Sequence, residues 1–302
     1  MTASLASLQQ AAQQQLQVST LLHSTISSAA LQQLQCQCYA TAPYQSYNQR
    51  SDLLNSVATL PAQFGCSKTE LARLLMLSLL AEFSLQQLPL TISSEISDNY
   101  QRSLQRIFKL WCSADTASPP ETDDKFLKDI GLLTGALLPC TERVVEPFSA
   151  LQRSLLYSDG IAQAAGFIRE LVVAQGNKPV CRLHIHLSEI NQLTAAGWRQ
   201  TCQQVANLLL LNPQLKGVVG ACWFYDPAIA AISPKLAFIS ELLSEMQANW
   251  FFSHSEGEKS GAFSRSASRK QAFESGHYQP KNYVVFIPRS RLLAWYKRQS
   301  VL

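Results

Sequence analysis

The eleven residues Gly217-Val-Val-Gly-Ala-Cys-Trp-Phe-Tyr-Asp-Pro227 constrain the fold of this chain more than any other stretch. They carry no charge before Asp226 and are rich in β-branched and aromatic side chains, which predicts a buried strand over 217–225. Asp226 ahead of Pro227 then reads as a helix cap followed by the proline favoured at a first helical position. A core strand that opens onto a helix is where α/β folds place ligands, so this terminus is the first candidate site.

Around that strand the pattern alternates. Strands are expected over 180–188, 217–225, 249–254 and 283–287, and helices over 194–211, 234–247, 266–275 and 289–298, the signature of a sheet layered with helices. Residues 1–144 read differently. The first charge of the chain is Arg50, and the leucines before it are spread through Gln, Ser and Ala, which predicts one or two amphipathic helices kept soluble by amides. Ser67-Lys-Thr-Glu70 is a capping box opening a strongly apolar helix. Further helices are expected over 94–111 and 125–138, the second stopped by Pro139. The expected architecture is therefore α+β: a helical domain over 1–144, then an α/β domain with a mixed sheet over 145–302.

Composition narrows the function classes. Of 302 residues, 15% are charged, and the net charge of +4 is too small to argue for nucleic acid. No apolar run reaches the roughly 20 residues of a membrane span, and no basic residue precedes an apolar segment near the start, so a cytoplasmic protein without nucleic-acid or membrane partners is expected. The eight cysteines lack metal-ligand spacing and predict reduced thiols.

Three groups of residues carry candidate chemistry. Arg182, His184, His186 and Ser188 alternate with aliphatics, so on a strand the two imidazoles share one face about 7 Å apart. They are candidates for a general base, for a metal pair needing a third ligand from His254, Glu189 or Asp226, or for a half-exposed face satisfied by its neighbours. Tyr225 and Asp226 would project a phenol and a carboxylate into the crevice beyond the strand, or serve as rim aromatic and cap. Ser264-Arg-Ser-Ala-Ser-Arg-Lys270 opens a short helix with hydroxyls and three cations, an expected anion site.

The segments Trp223-Phe-Tyr-Asp-Pro227, Ile232-Ser-Pro234-Lys-Leu236-Ala and Gly276-His-Tyr278-Gln-Pro280-Lys-Asn-Tyr283 resemble a set of uncharacterised bacterial proteins that share W-F-Y-D-P, I-S-P-x-L-A and G-x-Y-x-P-x-x-Y. More distantly, the histidine-bearing strand, the helix and the strand ending in W-x-x-D-P resemble the C-terminal half of GNAT-like acyltransferases. That resemblance implies acyl transfer from a CoA or phosphopantetheine thioester, free or on an acyl carrier protein, to a small-molecule substrate, with no metal. It would make His184 or His186 the base, Tyr225 or Asp226 the acceptor-positioning group, and Ser264, Arg265, Ser266, Arg269, Lys270 and Trp223 the cofactor-binding set. The Q/R-x-x-G-x-G/A phosphate run of that family is absent here. The competing classes are a non-catalytic binding protein using the same cleft or the Gln-rich helices, and a metalloenzyme using the two histidines.

Overall fold

The fold is described from a computed structural model, over residues 4–22, 28–39, 44–112, 124–186 and 194–299. It divides into two units. The first is Met1–Cys140 with Val144–Glu146 and His186–Ser188; the second is Thr141–Arg143, Pro147–Ile185 and Glu189–Leu302.

The first unit is helical. Helices α1 (Leu5–Leu22), α2 (Ser28–Tyr39), α3 (Ser51–Phe64), α4 (Lys68–Glu82), α5 (Ser94–Cys112) and α6 (Asp124–Leu133) follow in order. Helix α4 is the hub, with Leu71, Leu74, Leu75, Leu77, Leu79 and Leu80 all buried. The expected capping box starts it: Ser67 Oγ accepts from the Glu70 amide at 3.1 Å, and Glu70 Oε2 accepts from the Ser67 amide at 2.6 Å. Helix α5 turns Ile96, Tyr100, Leu104, Ile107 and Trp111 inward. Helix α6 stops five residues before the expected end, because Gly135 takes a left-handed φ of 72° that a helix cannot continue through. The residues after it form a short strand, β1 (Leu138–Cys140).

The strands make a six-stranded mixed sheet in the order β1-β2-β3-β4-β6-β5, with β2 at Arg143–Ser149, β3 at Val180–Ile185, β4 at Gly217–Cys222, β5 at Asn249–Ser255 and β6 at Lys281–Pro288. Between them run α7 (Gly160–Ala174), α8 (Ala195–Leu211), α9 (Ile229–Ile232), α10 (Ala237–Glu245) and α11 (Ala267–Glu274), and α12 (Arg289–Gln299) follows β6. Strands β3 and β4 are parallel and joined through α8, whereas β6 pairs antiparallel with both β4 and β5.

Register assigns the faces. Val180, Val219, Val284, Phe286 and Phe251 point to one side, where Phe167 and Ala174 of α7 complete the core. Leu183, Val218, Gly220, Val285 and Ile287 point to the other, against Trp198, Cys202 and Val205 of α8, Leu243 of α10 and Leu292 of α12. The gap left on that second side holds about 10 Å³, room for one water-sized atom.

Two strands are shorter than their sequence suggests. The parallel ladder of β3 and β4 runs only from Cys181↔Val218 to Leu183↔Gly220, although the strands continue to Ile185 and Cys222. The aromatic triplet Trp223–Tyr225, expected as strand, winds into a 3-10 turn. That turn folds the Tyr225 ring back onto the sheet, where its hydroxyl stands 2.5 Å from the place a Cβ on residue 220 would take. Only glycine fits beneath it.

Candidate functional site

The strongest concentration of unmatched polar chemistry in the second unit lies where β4 runs out. Arg143, the first residue of β2, is buried, and its guanidinium carbon lies 4.0 Å from the Trp198 ring centroid and 5.4 Å from that of Phe224. Trp198, Phe224 and Tyr225 pack edge to face around it at 4.7 to 6.2 Å. Stacking on aromatic faces satisfies the flat sides of a guanidinium but none of its N–H groups. Arg143 Nε and Nη2 have no hydrogen-bond acceptor, and neither has Trp198 Nε1. Burial pushes the Arg143 pKa down, with Tyr225, Cys222, Glu142 and Cys202 opposing from nearby.

The adjacent carboxylate is engaged elsewhere. Glu142 Oε1 accepts from the Thr194 amide at 3.1 Å and from its hydroxyl at 3.0 Å. Thr194 in turn caps α8 by accepting from the Gly197 amide. The Glu142 carboxylate lies so close over the first turn of α8 that a Cβ on residue 197 would stand 1.9 Å from Oε1. A negative charge at a helix start is favourable, and here the chain supplies its own.

The thiols beside the site are inert. Burial pushes Cys202 and Cys222 up to about 12, so both stay protonated and poor nucleophiles. Burial also raises Tyr225, which stays a neutral phenol able to donate a hydrogen bond but not to act as a base.

A second cluster lies on the outer side of the same turn. Trp223 is covered by Arg269, whose guanidinium carbon sits 4.7 Å from the ring centroid. Arg269 Nε donates to the Ala262 carbonyl at 2.6 Å and Nη1 to Ser233 Oγ at 3.0 Å. Asp226 Oδ1 accepts from the Ala228 amide at 3.0 Å, which fixes the turn into α9. Tyr278, pushed up to about 12 by burial and by Asp226, keeps its hydroxyl unmatched.

The sequence-expected residues separate accordingly. His184 is half-buried on β3 and shares the α7 face with Arg182, which donates to Ser149 Oγ at 2.8 Å and to the Ala150 carbonyl at 3.0 Å. Tyr225 packs on Gly220, on the opposite face, so the strand alternation keeps the His184 imidazole from the phenol. His186 lies past the end of β3 and belongs to the first unit. There its Nε2 is 3.2 Å from Asp129 Oδ1 and 3.4 Å from Arg106 Nη2, and Arg106 donates to both Asp129 oxygens at 2.6 and 3.3 Å. Burial raises the Asp129 pKa, but His186 and Arg106 outweigh it and hold the carboxyl below its ordinary range.

The expected phosphate segment also disperses. Ser266 caps α11 through the Arg269 amide, Ser264 Oγ donates to the Gly261 carbonyl, and Lys270 lies 3.7 Å from Glu274. Arg265 is exposed. Among the described residues no three His, Cys, Asp or Glu side chains gather as a metal set; Leu187, Ser188 and Glu189 lie outside those residues. His254 is exposed, with Ser253 Oγ at 3.0 Å from its Nδ1. No described helix is long and apolar enough to cross a membrane.

Sequence reasoning missed Glu142 and Arg143. The signal was Arg143-Val-Val-Glu-Pro147, a β-branched pair between charges, masked by a proline that argues against a strand. No known protein family, curated protein or solved structure matches the chain.

Proposed function

We propose that the second unit is a GNAT-like domain that handles a small acyl compound, in the reaction class of acyl transfer from a thioester to a small acceptor. The reading is carried by strand connectivity: a parallel pair joined through a helix, an antiparallel pair after it, and a parallel ladder that stops at Leu183↔Gly220 before its strands do. At the end of that ladder stands Arg143, with two N–H groups lacking an acceptor. In this role Arg143 binds the carbonyl or carboxylate oxygen of the acyl compound, and Tyr225 and Trp198 exclude water from it.

The residues present do not fit the diphosphate of CoA. Glu142 occupies the start of α8, and Arg269 of the basic segment is buried and hydrogen-bonded within the fold. No step is therefore drawn through a nucleotide, and any donor is recognised by its pantetheine arm and acyl group. Calorimetry with acetyl-pantetheine and acetyl-CoA tests this. The expected result is binding of both within about threefold of each other, a difference under 1 kcal/mol. No binding of either removes the acyl-transfer reading, and much tighter binding of the CoA form removes the nucleotide-independent part.

A second reading, a non-catalytic ligand-binding domain, is favoured by the placement of His184 on the face away from Tyr225. Binding of acyl compounds without transfer to any amine or hydroxyl acceptor would select it.

A further inference from the structure

The two N–H groups of Arg143 that lack an acceptor are a matched pair. Nε and Nη2 flank the same edge of the guanidinium, so their hydrogens point the same way within its plane. Such an edge takes two oxygens side by side, the arrangement of a carboxylate. A third donor without an acceptor, Trp198 Nε1, belongs to the ring whose centroid lies 4.0 Å from the same guanidinium carbon. Arg143 is only 3% exposed and Trp198 1%, so bulk solvent does not supply the acceptors. Glu142, the neighbouring acid, gives Oε1 to the amide and hydroxyl of Thr194.

A thioester carbonyl matches that set poorly. It offers one oxygen and no charge, whereas a carboxylate offers two oxygens, about four acceptor sites and a full negative charge. The charge counts most, because a buried cation without a counter-ion is destabilising and a neutral carbonyl leaves it so. Shape agrees. A flat group in the plane of the guanidinium runs alongside the Trp198 face, whereas a tetrahedral anion such as phosphate directs an oxygen out of that plane toward the ring. We propose that Arg143 and Trp198 hold a carboxylate at the far end of the acyl group, so that the compound handled is a carboxyacyl thioester, the monothioester of a dicarboxylic acid. This selectivity rests on the acyl-transfer reading above. Acetyl-pantetheine has only its carbonyl oxygen to offer Arg143 and binds more weakly.

Calorimetry on the full chain with succinyl-pantetheine, its methyl ester and acetyl-pantetheine tests the assignment. The succinyl form should bind about tenfold or more tightly than the other two, the worth of a hydrogen bond to a charged group. Arg143→Lys keeps a cation but loses the paired edge, and should narrow the preference over the methyl ester about tenfold. Trp198→Phe keeps a ring in the stack and removes only the N–H, so it serves where the lysine variant does not fold. It should narrow the preference about threefold. A succinyl form no tighter than its methyl ester, with acetyl-pantetheine still bound, overturns the carboxylate assignment and leaves the acyl-transfer reading standing. Binding of none of the three removes that reading itself. A preference undiminished in the folded variants overturns the proposal as well. So does displacement of bound succinyl-pantetheine by an equal concentration of inorganic phosphate, which would make the site a general anion site.

Discussion

Two arginines in this chain, one partly exposed and one buried, have different surroundings. In the helical unit, Arg106 donates to both oxygens of the buried Asp129 through its Nη atoms, leaving only Nε without an acceptor, and His186 Nε2 lies 3.2 Å from Oδ1 of the same carboxylate. In the sheet unit, Arg143 has aromatic rings on its faces and no acceptor for Nε or Nη2, while the carboxylate next to it in sequence caps a helix instead. A countered buried charge is a fixture of the fold, since removing one partner strands the others. An uncountered one lowers stability unless something else supplies the missing acceptor. The contrast gives Arg106 a structural role and supports the ligand role proposed above for Arg143.

The largest effect that could break this contrast is expected in the helical unit. Asp129→Ala leaves Arg106 and His186 facing each other without a counter-charge, and urea unfolding should register a loss of about 3–5 kcal/mol. A loss near zero would mean that the cluster is not a fixture. The same group sets an acid limit. Because its folded pKa lies below the unfolded one, Asp129 stabilises fully above the ordinary carboxylate range near pH 4. That contribution is lost as pH falls through the lowered folded value. Acid titration of unfolding should therefore fall less steeply below about pH 4 in Asp129→Asn than in the wild type.

Smaller effects sharpen the other side. Gly197→Ala forces the Glu142 carboxylate off the start of α8, an overpacking cost of about 1–3 kcal/mol in thermal unfolding. A neutral result would show that Glu142 does not sit on that turn. Ser67→Ala, which opens the capping box of α4, should cost only about 1 kcal/mol. A much larger loss would show that the start of α4 supports more than its own helix.

What the sequence disclosed follows from how local each determinant is. The Ser67 capping box, the inward face of α5 and the Thr194 start of α8 depend on residues within a few positions of one another, and all were legible. The strand–helix alternation after residue 180 was legible for the same reason. The end of β4 was not. A run of Trp, Phe and Tyr has high strand propensity, and its 3-10 turn packs on Gly220 and on the Trp198 ring of α8, the latter a contact that no local pattern encodes. The histidines illustrate the limit most clearly. Their alternation placed them on one strand face, but β3 ends between them, and His186 turns to a carboxylate 57 residues away in sequence. Arg269 was legible as a cation and not as a buried one, because Ser233 and Trp223, its partners, lie far off in the chain.

The most direct test is the stability and ligand binding of Arg143→Met, a change that keeps an apolar stem of similar length and removes the charge. If Arg143 is held for a ligand, urea unfolding should give a variant at least as stable as the wild type, and calorimetry should find acetyl-pantetheine binding gone. A variant that unfolds several kcal/mol more easily while still binding acetyl-pantetheine would contradict the account, because Arg143 would then belong to the fold.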